Sequence, residues 1–154
     1  MRPNLSADRV NVLFVCTGNI CRSPTAEGVF LHLIRSRNLE SRIGVDSAGT
    51  GAWHQGEAPD PRSQETALSR GIDISTQQAR RVHTDDFHEF DLIVAMDSSH
   101  LHSLRADCPS TYADRLRLFM EYAPETRITD VPDPYYGAGD GFARVFDMIE
   151  AASE

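Results

Sequence analysis

The sequence predicts an α/β fold: a single domain built on a four-stranded parallel sheet with helices on both faces. Two observations lead to this prediction. Short apolar runs rich in β-branched residues alternate along the chain with stretches of helical spacing, and this order is typical of parallel sheets covered by helices. The chain of 154 residues also has the usual length of one domain, so residues 1–154 are expected to fold as one unit.

The four predicted strands are short apolar runs bounded by polar or turn-forming residues, as expected for strands buried in a sheet. They cover residues 10–15, 43–48, 92–96 and 115–119.

The predicted helices lie between and after these strands. Ser23 is expected to cap the first, with Pro24 at its first position, where no backbone donor is needed. Gly71 ends the second, and Asp97 is expected to cap the fourth. The predicted helical ranges are 24–38, 61–70, 84–90, 98–106 and 141–152, and three prolines within 124–137 predict a loop there.

Composition narrows the class of partner and the compartment. The chain has 15 basic residues, all of them arginine, and 23 acidic ones, which gives a net charge of −8. This balance argues against a nucleic-acid or membrane partner. Three cysteines, a polar N-terminal stretch and no apolar run near the roughly 20 residues that span a bilayer predict a cytoplasmic protein.

The segment CTGNICRS, residues 16–23, joins the first strand to the first helix at the sheet edge where such folds bind ligands. Backbone amides and a helix N-terminus converge in such a loop. Gly18 and Asn19 tolerate the left-handed backbone angles that a concave nest of amides needs, and the Arg22 guanidinium matches two phosphate oxygens. The pattern predicts a phosphate-binding loop after strand one, distinct from the ATP-binding GxxxxGK[ST] motif, which the chain lacks.

Cys16, at the base of this loop, is the candidate nucleophile. The field that binds an anion also stabilises a thiolate, which would face the phosphorus of a bound phosphate ester. Ser23 is placed to donate a hydrogen bond to that sulfur. The alternative is a buried structural cysteine before an ordinary helix cap. A zinc site is disfavoured because Cys16 and Cys21 have no second ligand pair nearby, so no metal is expected.

Four segments together resemble the low-molecular-weight protein tyrosine phosphatases. The loop CTGNICRS resembles the family signature, and three further segments resemble its second strand, its third strand region and its general-acid loop. These are VDSAGTGAW at 45–53, DFHEFDLIVAMD at 86–97 and VPDPYYG at 131–137. The resemblance extends from about Val10 to Ile149.

The resemblance implies a two-step hydrolysis of phosphotyrosine without metal or cofactor. Cys16 forms a cysteinyl-phosphate, and inorganic phosphate is the product and an expected inhibitor. The general acid corresponds to Asp133, although from the residues alone Asp130 is an equal candidate. Arg22 binds the phosphate together with the loop residues Thr17, Gly18, Asn19, Ile20, Cys21 and Ser23.

Selectivity is expected to come from aromatic walls. Trp53, Tyr135 and Tyr136 are predicted to line a slot for an aryl ring. Relatives selective for arginine phosphate resemble this loop but carry threonine where this chain has Ile20, which favours tyrosine. The expected partner is a phosphotyrosine-containing protein, with an autophosphorylating tyrosine kinase as one candidate.

The resemblance also assigns supporting roles and shows one departure. Asn19 corresponds to a loop residue held in a strained conformation, and Ser47 to one of its hydrogen-bonding supports. Many relatives have a histidine a few residues before an Ala-Arg pair as a further support. This chain has Thr76, Gln77 and Gln78 there, which puts the support around Asn19 in doubt.

Cys21 is predicted to make the site redox-sensitive. A thiol beside an oxidised Cys16 can capture it as a reducible disulfide, and relatives that share both loop cysteines favour this role. The alternative is that Cys21 only fills space.

Most of the histidines are expected at the surface or at helix caps: His32, His83, His88, His100 and His102. His54, beside Trp53, is a weaker candidate for substrate contact.

Two rival functions are disfavoured by the residues. An arsenate reductase on the same fold needs a downstream pair of resolving cysteines, and only Cys108 follows the loop. A phosphate-binding module without catalysis has no need of an acid such as Asp133.

Overall fold

The computed structural model describes residues 10–19, 22–39, 41–51 and 55–122. These residues contain a four-stranded, all-parallel sheet in the order β2-β1-β3-β4. The strands are β1 (Val10–Cys16), β2 (Ile43–Gly49), β3 (Leu92–Ala95) and β4 (Leu116–Leu118). The predicted fold class and the four predicted strands are confirmed.

The described ranges also contain four α-helices: α1 (Arg22–Ser36), α2 (Pro61–Ser69), α3 (Asp86–Glu89) and α4 (Ser98–Asp107). Two short 3-10 turns, Ser110–Arg115 and Phe119–Tyr122, flank β4. None of the helices in these ranges has the length and apolar character needed to cross a membrane. The predicted helix at 141–152 and the predicted loop at 124–137 lie outside the described residues.

Side-chain alternation along the strands divides the core into two layers. Val12 of β1 belongs to a buried cluster that includes Val29 of α1 and reaches α2. Leu13, its neighbour in β1, belongs to a second cluster with Phe87 of α3 and Leu104 of α4. Because successive residues of a strand point to opposite faces, α1 and α2 cover one face of the sheet and α3 and α4 cover the other.

The predicted cap of α1 is wrong. The helix begins at Arg22, so Ser23 lies inside the first turn instead of at the cap. Its hydroxyl is used by the loop after β1: it lies 3.0 Å from Cys16 Sγ and accepts a hydrogen bond from Asn19. Asp97 does cap α4, as predicted, by accepting a hydrogen bond from the backbone N–H of His100.

The helices before β3 differ from prediction in length only. Gly71, at φ 82°, follows the end of α2, as predicted. α3 has four residues and begins at Asp86, later than the predicted start at residue 84. The Asp86 carboxylate accepts hydrogen bonds from the His83 backbone and the Arg80 side chain, and these bonds hold the preceding residues in a turn.

The strand register brings three chain segments together at the carboxyl edge of the sheet. Cys16 pairs with Gly49 of β2, and Val15 pairs with Ala95 of β3. The segments that follow these three strands therefore meet. The approach is close enough that a Cβ on Gly49 would lie 2.7 Å from the Thr17 carbonyl oxygen, so this position requires glycine.

Candidate active site

Cys16 lies at the carboxyl end of β1 and is 2% exposed. Its Sγ is 3.0 Å from Ser23 Oγ, a distance at which the hydroxyl can donate a hydrogen bond to the sulfur. The backbone around it is tied to the residues after β2, because Thr50 N donates to Cys16 O at 2.9 Å and Gly51 N donates to Thr17 O at 3.0 Å. The sulfur therefore lies where the backbone of Cys16 and Thr17 is held against the segment that follows β2.

Asn19 holds the shape of this loop. Its backbone is left-handed, with φ at 58°, and the residue is 2% exposed. Its side-chain nitrogen donates to Ser23 Oγ at 2.8 Å and to Ser47 Oγ at 2.9 Å, and its Oδ1 accepts from Arg80 N at 3.0 Å. Asparagine tolerates a left-handed backbone, and these three bonds hold its side chain in place within the loop.

This chain has no histidine at residues 76–78, and other groups support Asn19. The Arg80 backbone supplies a hydrogen bond to its side chain. The Arg80 guanidinium is in turn held by Asp46 and Asp86, each at 3.0 Å. Gln77 instead donates to the carbonyl oxygen of Pro24 at 3.1 Å. Asn19 is therefore supported without a histidine at residues 76–78, partly by a backbone group that residue type alone does not reveal.

Glu27 ends the chain of hydrogen bonds that begins at Cys16, and the sequence analysis did not single it out. Ser47 Oγ donates to Glu27 Oε1 at 2.6 Å. Burial raises the pKa of the Glu27 carboxyl to about 7, although the bond from Ser47 opposes the shift. Its position four residues after Ser23 puts both on one face of α1, and that spacing is the signal that could have found it.

Arg22 is 3% exposed and its guanidinium is held at two points. Nη1 donates to Asp97 Oδ2 at 2.8 Å, and Nη2 donates to Thr17 Oγ1 at 3.3 Å. Burial disfavours the charged form of Asp97, but hydrogen bonds from Ser99 and the His100 backbone, together with the His100 ring and Arg22, outweigh it and lower the Asp97 pKa. Asp97 is therefore an ionised partner that fixes Arg22, in addition to its predicted role as a cap.

The prediction that His100 lies at the surface or in a cap is wrong. It is 2% exposed, and its Nε2 lies 2.7 Å from Thr17 Oγ1 and 3.4 Å from Arg22 Nη2. Its Nδ1 lies 3.2 Å from Asp97 Oδ1, an ion-pairing distance. The available signal was its place in the first turn of a helix that starts at the carboxyl edge of the sheet. The other histidines in the described ranges are exposed, as predicted: His32, His83, His88 and His102.

The described residues bring together six of the predicted site residues: Cys16, Thr17, Asn19, Arg22, Ser23 and Ser47. Gly18 lies between two of them and is partly exposed. The remaining candidates lie outside the described residues, and their roles stay predictions: Ile20, Cys21, Trp53, His54, Asp130, Asp133, Tyr135 and Tyr136. In the part of the chain that is described, no group of three or more His, Cys, Asp or Glu residues could hold a metal ion.

The arrangement matches one family of known proteins over nearly the whole chain. The model of the family described as low molecular weight phosphotyrosine protein phosphatase matches residues 11–154. A low molecular weight phosphotyrosine protein phosphatase of Schizosaccharomyces pombe is 48% identical over 141 residues, covering 91% of this chain and 90% of that protein. A low molecular weight protein-tyrosine-phosphatase of Streptomyces coelicolor is 45% identical over 145 residues, covering 92% and 88% respectively.

A solved structure shows the same similarity in three dimensions. The crystal structure of a protein tyrosine phosphatase from Entamoeba histolytica, with Hepes in its active site, superposes with a TM-score of 0.91 at 40% sequence identity. The match covers 94% of this chain and 92% of that one.

Proposed function

We propose the following function for this chain, which belongs to the low molecular weight phosphotyrosine protein phosphatase family. It hydrolyses phosphotyrosine in proteins through a cysteinyl-phosphate intermediate. One observation carries the proposal: the buried sulfur of Cys16 lies 3.0 Å from the Ser23 hydroxyl, at the base of a loop that ends at the buried Arg22. In the proposal Cys16 is the nucleophile, Ser23 stabilises its thiolate and Arg22 binds the phosphoryl oxygens, and the closeness of Cys16 to Ser23 supports these roles.

The first chemical step transfers the phosphoryl group to the enzyme. The Cys16 thiolate attacks phosphorus, and an S–P bond forms as the bond between phosphorus and the phenolic oxygen breaks. Asp133 gives its proton to that oxygen, so tyrosine leaves as a neutral phenol. In the second step water attacks phosphorus and gives a proton to Asp133. The S–P bond breaks, inorganic phosphate leaves, and Ser23 donates a hydrogen bond to the departing thiolate.

Arg22 and the loop amides stabilise the charge on the phosphoryl oxygens in both steps. Phosphoryl transfer depends mainly on positioning and on electrostatic stabilisation of those oxygens. The contacts of Arg22 with Asp97 and Thr17 orient its planar guanidinium before substrate arrives. An arginine held in this way supports the reaction without reorganising during it.

Turnover of para-nitrophenyl phosphate in the presence of a metal chelator tests the proposal. The protein should retain its full rate, and Cys16→Ser should lose turnover. On a phosphotyrosine peptide, Asp133→Asn should lower kcat by roughly 10²–10⁴-fold, the usual contribution of a positioned acid. Asp130→Asn is the matched control and should keep kcat close to that of the unmodified protein. If only Asp130→Asn shows the loss, Asp130 is the acid.

The substrate class is a phosphorylated aryl side chain. Trp53, Tyr135 and Tyr136 are the proposed walls of the slot for this ring, and Ile20 favours phosphotyrosine over the arginine-phosphate alternative. Phosphotyrosine and phosphoarginine forms of one peptide separate the two classes: the first should be hydrolysed at least about tenfold faster, the effect of roughly 1.4 kcal/mol in the barrier. Equal rates would remove the selectivity assigned to Ile20.

The protein acts in the cytoplasm as a single catalytic domain over residues 1–154, and an autophosphorylating tyrosine kinase is a candidate partner. Loss of phosphate from such a kinase on addition of the protein, and none on addition of Cys16→Ser, tests that pairing.

A reversible disulfide between Cys16 and Cys21 protects the nucleophile from further oxidation. After brief peroxide treatment dithiothreitol should restore activity, and Cys21→Ser should recover much less; equal recovery would leave Cys21 as packing.

A further inference from the structure

His100 is a titratable group inside the phosphate-binding site. It is 2% exposed, and its ring spans the side chains that position Arg22. Nε2 lies 2.7 Å from Thr17 Oγ1, and Nδ1 lies 3.2 Å from Asp97 Oδ1. Thr17 and Asp97 each contact the Arg22 guanidinium, at 3.3 Å and 2.8 Å. The four side chains therefore form a closed ring of polar contacts.

The contacts of Nε2 favour a neutral imidazole, whereas the ionised Asp97 at 3.2 Å from Nδ1 favours the charged form, so an added anion can shift the balance between the two. Nε2 faces two donors, the Thr17 hydroxyl at 2.7 Å and Arg22 Nη2 at 3.4 Å, and an unprotonated ring nitrogen accepts from both. With Nε2 as acceptor, the Thr17 hydroxyl hydrogen points at His100. A second proton on the ring would reverse this contact: Thr17 would accept from His100, and its own hydrogen would be released toward the space where the oxyanion binds.

The charge balance points the same way. Arg22 and Asp97 form a partly buried ion pair whose charges cancel. Cys16, at the base of the same loop, adds a negative charge when it is a thiolate. A dianion that enters the site therefore meets excess positive charge at this ring only when His100 is protonated. In turn, a bound dianion favours the imidazolium, because its negative charge offsets the repulsion between the imidazolium and the guanidinium 3.4 Å away.

We propose that His100 takes up a proton when an oxyanion binds beside Arg22, so that the affinity of the site for phosphate-like dianions rises as its imidazole becomes charged. His100 is then a positioning residue that acts through Thr17 and Arg22. Histidine is suited to this role because it is the side chain that ordinarily changes charge between pH 5 and 8. The inference rests on the proposed function only in taking Arg22 as the oxyanion ligand.

Sulfate is the probe, since it stays a dianion over this pH range, and its binding is measured by calorimetry between pH 5.5 and 8. Cys16→Ser serves as the parent protein, which removes the titration of the thiol. Sulfate should bind about tenfold more weakly at pH 8 than at pH 5.5, corresponding to a shift of one pKa unit. Titration in two buffers with different ionisation enthalpies should show proton uptake on binding.

Adding His100→Asn to this parent should reduce both the pH dependence and the proton uptake to near zero, with sulfate affinity close to the parent's at pH 8. Adding His102→Asn, an exposed histidine on the same helix, is the matched control and should change neither. A merely structural role for His100 predicts a loss of affinity by the same factor at every pH. That result, or an unchanged pH dependence, would overturn the inference.

A measurement that leaves His100 intact covers the case in which the variant does not fold. In NMR spectra of the parent, sulfate should raise the titration midpoint of the His100 imidazole. A midpoint that stays the same with and without sulfate would overturn the inference. If no protein bound sulfate at any pH, the proposed phosphate site would fail as well. Sulfate binding without proton uptake would remove only the role of His100.

Discussion

The loop after β1 has two sides that are held differently. On one side, two hydroxyls and a backbone amide hold Asn19 by hydrogen bonds. On the other side, an ionised carboxylate holds Arg22, and an imidazole lies beside it. The first side uses neutral groups from α1, β2 and the segment before α3. The second uses charged or chargeable groups from α1 and α4. Asn19 and Arg22 are themselves buried, while Arg80 on the first side and Asp97 on the second are partly exposed.

The difference separates two tasks. Neutral hydrogen bonds hold the side chain of the left-handed Asn19 and so fix the backbone at this point of the loop. Charged contacts set how strongly the site attracts an anion, and they change with pH. Damage to the Arg22 side should therefore affect oxyanion affinity and rate together, whereas damage to the Asn19 side should affect rate more than affinity.

The largest loss is expected from Arg22→Lys. An ammonium keeps the charge but cannot contact Asp97 and Thr17 while it also presents two donors to a phosphate. kcat/KM should fall by roughly 10²–10³-fold, the usual effect of removing an oxyanion ligand, and inhibition by phosphate should weaken in parallel. Arg35→Lys, an exposed change in the last turn of α1, is the control. A near-normal kcat in Arg22→Lys would contradict the loop geometry.

Asn19→Ala should cost less, about 10–100-fold in kcat, because the loop amides lose their alignment. Phosphate inhibition should weaken by a smaller factor. Asn19→Gly removes the steric cost of positive φ but also lacks the amide, so it should be similarly impaired if the hydrogen bonds matter.

Asn38 provides the control for this pair. It has φ at 56° but lies exposed beyond the end of α1. Asn38→Gly and Asn38→Ala should leave kcat unchanged. Full activity in Asn19→Gly would show that only its backbone conformation matters.

The smallest effect on activity, and a distinct one on stability, is expected from Glu27→Gln. The pKa of Glu27 rises from 4.5 to about 7 on folding, chiefly through burial. The folded state therefore holds its proton more tightly, and the stabilisation is complete below pH 4.5 and is lost as pH rises toward 7. Above that pH range, the ionised Glu27 carboxylate lowers the free energy of unfolding by up to about 3 kcal/mol.

Glutamine does not titrate, so the free energy of unfolding of Glu27→Gln should decline less between pH 4.5 and 7 than that of the unmodified protein. Urea unfolding at several pH values measures the difference. Glu65→Gln, an exposed change in α2, is the control. Parallel pH profiles for Glu27→Gln and the unmodified protein would show that Glu27 does not titrate in this range.

The parts of the account that could be predicted are those that depend on local pattern. Apolar runs located the four strands, and the spacing from Cys16 to Arg22 located the phosphate loop. The cap assigned to Ser23 failed because its hydroxyl has tertiary partners, Cys16 and Asn19, that outweigh its local preference for a helix end.

His100 and Glu27 were missed for a different reason. Thr17 and His100 are separated by 83 positions, and Ser47 and Glu27 by 20, so the packing of α4 and α1 against the sheet brings them together. Their residue types do not mark them as buried; only their positions, four residues after Ser23 for Glu27 and in the first turn of α4 for His100, connect them to the site. The absence of a histidine at residues 76–78 put the support of Asn19 in doubt for the same reason, since the bond from the Arg80 backbone N–H leaves no trace in the residue types.

The central claim is that Cys16 carries the phosphoryl group during turnover. The direct test mixes the protein with a phosphotyrosine peptide for milliseconds, stops the reaction with acid and locates the phosphate by mass spectrometry. The account predicts phosphate on Cys16 that appears before steady state and disappears as substrate is exhausted, together with loss of turnover in Cys16→Ser. Continued turnover with no phosphate ever found on Cys16, or a Cys16→Ser protein that still turns over, would contradict it.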